Sequence, residues 1–292
     1  MSYAGDLNQD GIVDVFVGSP NTDSPQSPGE ALLFFGPLSG FYTGADADAQ
    51  LIGEHEFDRA GSRIAGGGDV NGDGFPDLVV GAYGNDFKGV EAGKVYVVHG
   101  PVEGTLQLGN SDAVLTGEEP EDKAGMGVGF VGDTNGDGND DIAVGAPHAQ
   151  EVGNNSGKAY LLRGPLVDGS LANADTVFLL EESSVLVGYS LDGGDFDDDG
   201  YADLAIGVPG DVHDTSRPGR VYCFLGPMTG VLLEEQANLY VGESLGDGAG
   251  FSLAVGMLNP DNMMDLVIGA PYSDARREKA GNVYMVFGGA SL

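Results

Sequence analysis

A pattern that returns every 62 to 64 residues constrains this chain more than any other feature of its sequence. The segment Asp77–Ala82 reads DLVVGA, and related segments begin at Asp141, Asp203 and Asp265, with a further copy at Asp14. A second marker is a four-residue segment that starts with glycine and ends with two apolar or aromatic residues. It keeps the same interval at residues 93–96, 157–160, 219–222 and 281–284, with its weakest copy at 29–32. Two markers that stay in register over the whole chain indicate a repeat protein with five units.

Each unit reads as a set of short β-strands. Runs such as Leu78–Val80, Val95–Val98, Leu239–Val241 and Ser252–Val255 are rich in aliphatic, β-branched or aromatic residues. Such runs, separated by glycine, proline or polar clusters and without helical periodicity, are typical of strands. Four runs per unit predict strands A to D of a small antiparallel sheet, which must stack on its neighbours to bury both faces. We therefore predict an all-β fold, a β-propeller of about five four-stranded antiparallel blades.

The ends of the chain leave two strands incomplete in this prediction. We expect a single domain over residues 1–292, with units at approximately 1–54, 55–118, 119–182, 183–243 and 244–292. Met1–Gly5 supplies only a stub of the first strand A, and the sequence stops after the fifth strand C, so the last strand D is missing. The fifth blade could stay three-stranded, pair with another chain, or have lost its partner through truncation. Self-association through this incomplete blade is one expectation.

Nine-residue loops before each predicted strand B carry the strongest chemical signal. Four of them place carboxylate or amide oxygens at positions 1, 3, 5 and 9, with glycine at position 6. Alternate side chains of a tight loop converge, the carbonyl of position 7 can join them, and oxygen ligands without His or Cys favour Ca²⁺. The four predicted sites, each with its position-7 carbonyl, are Asp6, Asn8, Asp10, Ile12 and Asp14; Asp69, Asn71, Asp73, Phe75 and Asp77; Asp133, Asn135, Asp137, Asn139 and Asp141; and Asp195, Asp197, Asp199, Tyr201 and Asp203.

The fifth loop departs from this pattern. Met257 stands at position 1, and Asn259, Asp261 and Asp265 are the remaining oxygen donors. We predict a weak or empty site there and about four Ca²⁺ per chain. The loop that begins at Asp195 has four carboxylates, so we expect it to bind most tightly. A single acidic loop could equally be a solvated turn, but four copies in register favour metal binding.

Charge and composition exclude several classes of function. The chain carries 46 acidic and 12 basic residues, a formal net charge of −34. Nucleic-acid binding and attraction to anionic membranes both require basic residues, so neither is expected. No apolar run approaches the ~18 residues of a membrane span, so we expect no membrane insertion. The single cysteine, Cys223, excludes a disulfide within the chain.

Short motifs connect these repeats to a known family. Ala249-Gly250-Phe251 precedes a predicted strand, and Gly145-Ala146-Pro147 and Gly269-Ala270-Pro271 follow the metal loops. These motifs resemble the FG-GAP repeats that build the β-propeller of integrin α-subunits, and the resemblance spans essentially the whole chain. It implies calcium in the A–B loops and ligand binding on the opposite face. The family's usual propeller has seven blades, which leaves ring closure open here. Nothing resembles an integrin's inserted domain, leg or membrane segment, so a bacterial or engineered relative is favoured.

The loops between strands B and C vary from unit to unit while the framework repeats, which is typical of a scaffold that presents a binding surface. We expect a protein or glycan ligand on this B–C and D–A loop face. The interpretation favoured is an extracellular adhesion or protein-interaction module. The alternatives are a calcium-dependent, lectin-like carbohydrate binder and, less expected, a polysaccharide-acting enzyme. Candidate contact residues on these loops are Phe87, Lys88, His148, His213, Arg217, Tyr272, Arg276, Arg277 and Lys279.

We expect the chain not to be an enzyme. Its histidines, His55, His99, His148 and His213, have no catalytic motif around them. Calcium sites of this type suit millimolar extracellular Ca²⁺, so we expect an extracellular or cell-surface location. Met1–Gly5 lacks the basic and apolar regions of a signal peptide, so the export signal is expected to lie outside this sequence.

Overall fold

The chain folds into five small β-sheets that follow one another in sequence. The computed structural model describes residues 1–21, 26–150, 153, 155–180, 185–210, 216–261, 263–274 and 280–289. Apart from strands, these residues form only short 3₁₀ helices, at Gly44–Asp46, Leu108–Asn110, Leu171–Asn173 and Glu234–Gln236. The predicted all-β fold is confirmed.

Strands A to D of the first four repeats, and strands A to C of the fifth, appear in the expected order. The first repeat forms β1 (Ser2–Gly5), β2 (Asp14–Ser19), β3 (Glu30–Phe34) and β4 (Ala49–Ile52). The second forms β5 (Arg63–Gly68), β6 (Asp77–Ala82), β7 (Lys94–Val98), β8 (Gly104–Gln107) and β9 (Ala113–Thr116). The third forms β10 (Gly127–Gly132), β11 (Asp141–Ala146), β12 (Lys158–Leu162), β13 (Gly169–Ser170) and β14 (Thr176–Leu179). The fourth forms β15 (Ser190–Gly194), β16 (Asp203–Val208), β17 (Arg220–Phe224), β18 (Gly230–Leu233) and β19 (Asn238–Val241), and the fifth forms β20 (Ser252–Gly256), β21 (Asp265–Ala270) and β22 (Asn282–Val286).

The outer edges of the first three sheets carry a strand that the sequence did not predict. The connection between strands C and D returns to the preceding sheet, where β8 pairs with β4, β13 with β9 and β18 with β14, each in parallel. These sheets are therefore five-stranded with one parallel edge, rather than four-stranded and purely antiparallel. The fourth sheet has four strands and the fifth has three. Among the described residues, no strand covers the outer edges of β19 and β22.

The hydrophobic core lies between successive sheets. Between the second and third sheets, Val79 and Val97 pack in one cluster with Ile142 and Tyr160, and all four are fully buried. Equivalent clusters join the first sheet to the second, the third to the fourth and the fourth to the fifth. The last sheet has a free face instead, where Met285 is 61% exposed although its equivalent Val97 is fully buried.

The inner strands β1, β5, β10, β15 and β20 pack side by side in chain order and line a central cavity of about 1030 Å³. Glycine allows their close approach. A Cβ added at Gly68 would lie 2.1 Å from Cδ1 of Phe130, and one added at Gly129 would lie 2.7 Å from the carbonyl oxygen of Leu191. A larger side chain at either position would therefore require the neighbouring repeat or its Phe130 side chain to shift, which accounts for glycine at these two positions.

Candidate metal-binding loops

The aspartate at position 9 of each A–B loop connects the loop to strands B and C. Asp77 is fully buried, and its Oδ2 accepts the N–H of Val70 at 2.8 Å while its Oδ1 accepts the N–H of Gly100 at 3.0 Å. Gly100 follows strand C, so this carboxylate fixes the loop, strand B and strand C together. The same pair of bonds recurs for Asp14 with Leu7 and Gly36, Asp141 with Thr134 and Gly164, Asp203 with Phe196 and Gly226, and Asp265 with Leu258 and Gly288.

Burial shifts the acidity of these closing carboxyl groups. It raises the pKa of Asp77 to about 6, although the N–H groups of Gly100 and Val70 oppose the shift. Burial likewise raises the pKa of Asp203 to about 6, and the nearby charges of Asp197 and Asp195 add to the effect. A buried carboxylate surrounded by like charges is stabilised in its ionised form by a bound cation.

The aspartate at position 1 organises the turn of the loop. The carboxylate of Asp69 accepts N–H groups from Gly72 at 2.8 Å, Asp73 at 3.2 Å and Gly74 at 2.8 Å. Gly74 has φ +86°, the left-handed conformation that glycine adopts without a steric penalty. The bond from position 6 to position 1 recurs from Gly11 to Asp6, from Gly138 to Asp133 and from Gly200 to Asp195. Position 6 of the fifth loop, Asn262, lies outside the described residues.

Positions 3, 5 and 7 are brought together inside the loop. Asn71 donates from Nδ2 to Oδ2 of Asp73 at 2.9 Å, and Oδ1 of Asp73 accepts the N–H of Phe75 at 2.8 Å. The first and third loops repeat both bonds, through Asn8, Asp10 and Ile12 and through Asn135, Asp137 and Asn139. The side chains of positions 3 and 5 and the main chain of position 7 are therefore in contact, while coordination of one ion by these groups together with positions 1 and 9 stays a prediction.

The fourth loop has the densest group of carboxylates. Asp195, Asp197 and Asp203 each place a carboxylate oxygen within 4.8 Å of the others, and no other three acidic, histidine or cysteine side chains in the described part of the chain do so. Asp199 lies outside this group and accepts the N–H of Tyr201 at 2.9 Å. This arrangement agrees with the expectation that the fourth loop has the highest ligand charge.

The fifth loop keeps the closing bonds and lacks the turn organised by position 1. Met257 is 64% exposed. The bonds that remain inside the loop run from the N–H of Asp261 to Asn259 at 2.9 Å and from the N–H of Met263 to Asp261 at 3.2 Å. The weak or empty fifth site therefore stays a prediction that the loop geometry supports.

Neighbouring loops are linked by hydrogen bonds through position 8. The N–H of Asp140 donates to the carbonyl of Asp69 at 2.9 Å, and the Asp140 carboxylate accepts the N–H of Asp69 at 2.9 Å. Ala202 and Met264 make the same main-chain bond to the preceding loop, whereas Pro76 has no N–H to donate. Sequence reasoning missed Asp140, although the acidic pair at positions 8 and 9 of the third loop was a visible signal.

A buried ion pair between repeats was also missed. Nζ of Lys94 lies 2.7 Å from Oε1 of Glu54, which also accepts the hydroxyl of Tyr96 at 2.7 Å, and the Lys94 side chain is only 6% exposed. Glu118, Lys158 and Tyr160 form the same network in the next repeat, at 3.3 Å and 2.6 Å. The constant spacing of 40 residues between glutamate and lysine could have revealed it.

The opposite face carries some of the predicted ligand-contacting residues. Phe87 is 68% exposed, and Nζ of Lys94 lies 4.5 Å from the centre of its ring. Lys88 is exposed, whereas His148, Arg217 and Tyr272 are half-buried. His213, Arg276, Arg277 and Lys279 lie outside the described residues.

Comparison with known proteins agrees with the repeat pattern. The FG-GAP repeat family matches residues 60–98, 124–162 and 187–223. Mouse integrin alpha-IIb is 35% identical over 148 residues, covering 49% of this chain and 14% of that protein. Human integrin alpha-7 is 37% identical over 149 residues, or 49% and 12%. Bovine phosphatidylinositol-glycan-specific phospholipase D is 29% identical over 303 residues, or 93% and 34%. The chain thus spans about a third or less of the length of these relatives.

Proposed function

Because the chain is an FG-GAP-repeat, integrin-like β-propeller, we propose that it is an extracellular protein-interaction module whose A–B loops bind structural Ca²⁺. In this proposal, metal ions hold one face of the stacked sheets, and the B–C and D–A loops on the other face engage a protein ligand. The repeats supply a rigid frame, so ligand specificity resides in the variable loops.

One observation carries the calcium proposal. In four loops the position-1 carboxylate folds the turn, and the position-9 carboxylate is held at the end of the loop by two main-chain N–H groups. In the fourth loop three carboxylates approach one another without a basic residue among them. Oxygen ligands in this number suit Ca²⁺, whose charge would offset their mutual repulsion.

Calorimetric titration of the metal-free protein tests the proposal. We expect about four Ca²⁺ per chain, and we expect a chelator to lower the melting temperature. Asp195→Asn should remove one site, whereas Asn259→Ala in the fifth loop, a matched loss of an oxygen donor, should leave the stoichiometry unchanged. One ion or none per chain would contradict the proposal.

The nature of the ligand separates the adhesion function from its lectin-like alternative. We expect the immobilised chain to bind extracellular proteins in the presence of Ca²⁺ and to lose that binding in a chelator. A glycan array probed with and without Ca²⁺ tests the alternative. Calcium-dependent binding to defined glycans, without binding to deglycosylated proteins, would favour a carbohydrate-binding propeller.

A catalytic function is the second candidate because the alignment with the bovine phospholipase D covers 93% of this chain. The same alignment covers only 34% of that enzyme, so the likeness is to one part of it. In this chain His55 and His99 each lie beside a different aspartate, Asp58 and Asp112, at 3.7 Å and 3.9 Å. We therefore expect no release of a glycosylphosphatidylinositol-anchored substrate and no turnover of polysaccharides. Turnover abolished by a point substitution would overturn the non-catalytic proposal.

An extracellular or cell-surface location follows from the same proposal. Loop sites of this kind match millimolar calcium, a concentration found outside cells. Within the described residues, no helix has the length and apolar character needed to cross a bilayer. Self-association through the last sheet stays a prediction, and the exposed Val283 and Met285 on its free face are the residues to substitute in testing it.

A further inference from the structure

A second, smaller cavity lies on the face opposite the metal loops. Its volume is about 240 Å³, and residues from four repeats line it. They come from the starts of the B–C loops and from the D–A connections: Pro20, Asn21, Arg59, Ser62, Arg63, Tyr83, Met126 and Tyr189. Among the described residues, the lining contains two arginines and no acidic residue, although acids outnumber basic residues 46 to 12 in the whole chain.

Both arginines break the repeat pattern at this place. Ala60, next to Arg59, bridges to Gly29 as Ala124 bridges to Gly93, so the residue equivalent to Arg59 in the third repeat is Lys123. The equivalents in the fourth and fifth repeats are Leu186 and Gly248. Arg63 pairs with Gly81 in the sheet register, and its equivalents in the later repeats are Gly127, Ser190 and Ser252. In the described part of the chain only the second repeat therefore directs two guanidinium groups to this cavity, so the repeat framework does not require them.

The two guanidinium groups contact aromatic rings rather than carboxylates, and Nη1 of Arg63 also donates to the carbonyl oxygen of Ser62 at 3.4 Å. The Arg59 group lies 5.5 Å from the centre of the Tyr83 ring, and the Arg63 group lies 5.5 Å from that of Tyr189. Neither arginine forms an ion pair within the described residues, whereas Lys123 pairs with Glu91 at 3.2 Å. Stacking on a ring leaves the N–H edge of a guanidinium available to an anion, which it recognises through two parallel hydrogen bonds.

The size and charge of the site limit the class of ligand that it can bind. A volume of about 240 Å³ lies below the roughly 300–1,000 Å³ of typical small-molecule sites, so it suits one side chain. The strong negative charge of the protein disfavours ligands in proportion to their own negative charge, which selects a monoanion over a phosphate dianion. Pro20 and Met126 supply apolar walls for the methylene groups that precede a carboxylate.

We propose that Arg59 and Arg63 form a carboxylate-binding pocket that accepts an Asp or Glu side chain of a protein ligand. This inference rests on the proposed function, because it identifies the chemistry that the loop face recognises. It predicts that acidic side chains at the tip of a partner's loop are a determinant of binding.

Binding of a small probe tests the pocket without knowledge of the partner. N-acetyl-aspartate N-methylamide, titrated into the calcium-loaded chain and followed by shifts of the arginine Nε–H resonances, should bind with a Kd of about 1 mM, as a single bidentate contact allows. Arg59→Gln and Arg63→Gln should each weaken binding at least tenfold, and Arg59→Lys should weaken it less. Lys123→Gln is the matched control, since Lys123 shares the φ of +57° at the equivalent position, and it should leave the Kd unchanged.

Three results would overturn the pocket. These are equal binding of the neutral N-acetyl-asparagine N-methylamide, a phosphate monoester that binds more tightly than the carboxylate, and a Kd unaffected by Arg63→Gln. If the probe fails while calcium-dependent binding of proteins persists, the pocket is wrong and the interaction module stands. If the probe binds as expected while no protein ligand is retained, the pocket stands and the proposed function fails.

Discussion

The second and fifth repeats share strands A to C, yet different interactions hold them in place. The second repeat has Asp69 at loop position 1 and the buried Lys94 paired with Glu54. The fifth repeat has Met257 at that loop position. In its strand C the hydroxyl of Tyr284 is buried and finds no hydrogen-bond partner within the described residues.

Both repeats nevertheless keep the closing aspartate with its two main-chain hydrogen bonds. Asp77 and Asp265 are fully buried and accept N–H groups at 2.7 to 3.0 Å. The closing carboxylate therefore belongs to the fold of every repeat, whereas the remaining loop ligands and the ion pair between repeats are additions to it. The comparison therefore separates the interaction that both repeats share from the interactions that only the second repeat has.

The largest expected effect comes from removing the closing carboxylate. Asp77→Ala leaves two buried N–H groups without an acceptor, so we expect it to lower the free energy of unfolding by about 4 kcal/mol. Asp265→Ala leaves two partly buried N–H groups without an acceptor, so we expect a smaller loss there. Urea denaturation in the presence of a chelator measures this effect without a contribution from calcium. Glu235→Ala, at an exposed position, is the control. If Asp265→Ala leaves the free energy of unfolding unchanged, the closing carboxylate does not stabilise every repeat, and the second repeat would owe its stability to the other loop ligands.

The next effect concerns the ion pair between repeats. Glu54→Ala leaves a buried ammonium group and a buried hydroxyl without their acceptor, and we expect a loss of about 3 kcal/mol. Glu243 is the equivalent glutamate before the fifth repeat and is exposed, so Glu243→Ala should change stability by less than about 0.5 kcal/mol. Thermal and urea unfolding of both variants provide the measurement. Equal losses would show that the fifth repeat is tied by the same pair after all.

A third effect lies at the junction between the fourth and fifth repeats. Asp192 accepts the N–H of Val255 at 2.8 Å, and burial raises its pKa to about 6. Between about pH 4 and pH 6 the folded state therefore binds this proton more tightly than the unfolded state does, so the contribution of Asp192 to stability falls as the pH rises through that window. Above about pH 6 the full free-energy cost of keeping the buried Asp192 carboxyl ionised is present.

Asp192→Asn cannot titrate, so its stability relative to the natural chain should rise by about 2 kcal/mol from pH 4 to pH 7. Urea unfolding at a series of pH values in a chelator measures this difference. Glu235→Gln removes a charge from the surface and serves as control. A difference that is flat with pH would show that Asp192 is not the group that titrates.

The smallest effect should follow from restoring the missing ligand of the fifth loop. Met257→Asp adds a carboxylate at position 1, so we expect one additional Ca²⁺ per chain by calorimetry. Without calcium the added repulsion should lower stability by about 0.5 kcal/mol. Met257→Asn, which adds an uncharged oxygen donor, should bind more weakly. An unchanged stoichiometry would mean that more than position 1 separates the fifth loop from the others.

The sequence predicted the features that recur in every unit and missed the contacts between units. The strands were found because their pattern is local and recurs every 62 to 64 residues, and the same recurrence underlies the prediction of the metal loops. The parallel strands β8, β13 and β18 were missed because GTLQ and its equivalents have no strong strand pattern and are held by the preceding sheet. The pocket of Arg59 and Arg63 was missed because residues from four repeats meet there, and only the fold brings them together.

The strands β8, β13 and β18, which pair with the preceding sheet, affect how the molecule unfolds. Each of the first three sheets borrows its last strand from the following repeat, so unfolding of a repeat also uncovers an edge on its neighbour. Such mutual dependence strengthens nearest-neighbour coupling and makes the amino-terminal three sheets open together. In the described residues β19 and β22 receive no such strand, so amide protons of the last two sheets should exchange with solvent first, in an order that runs back along the chain.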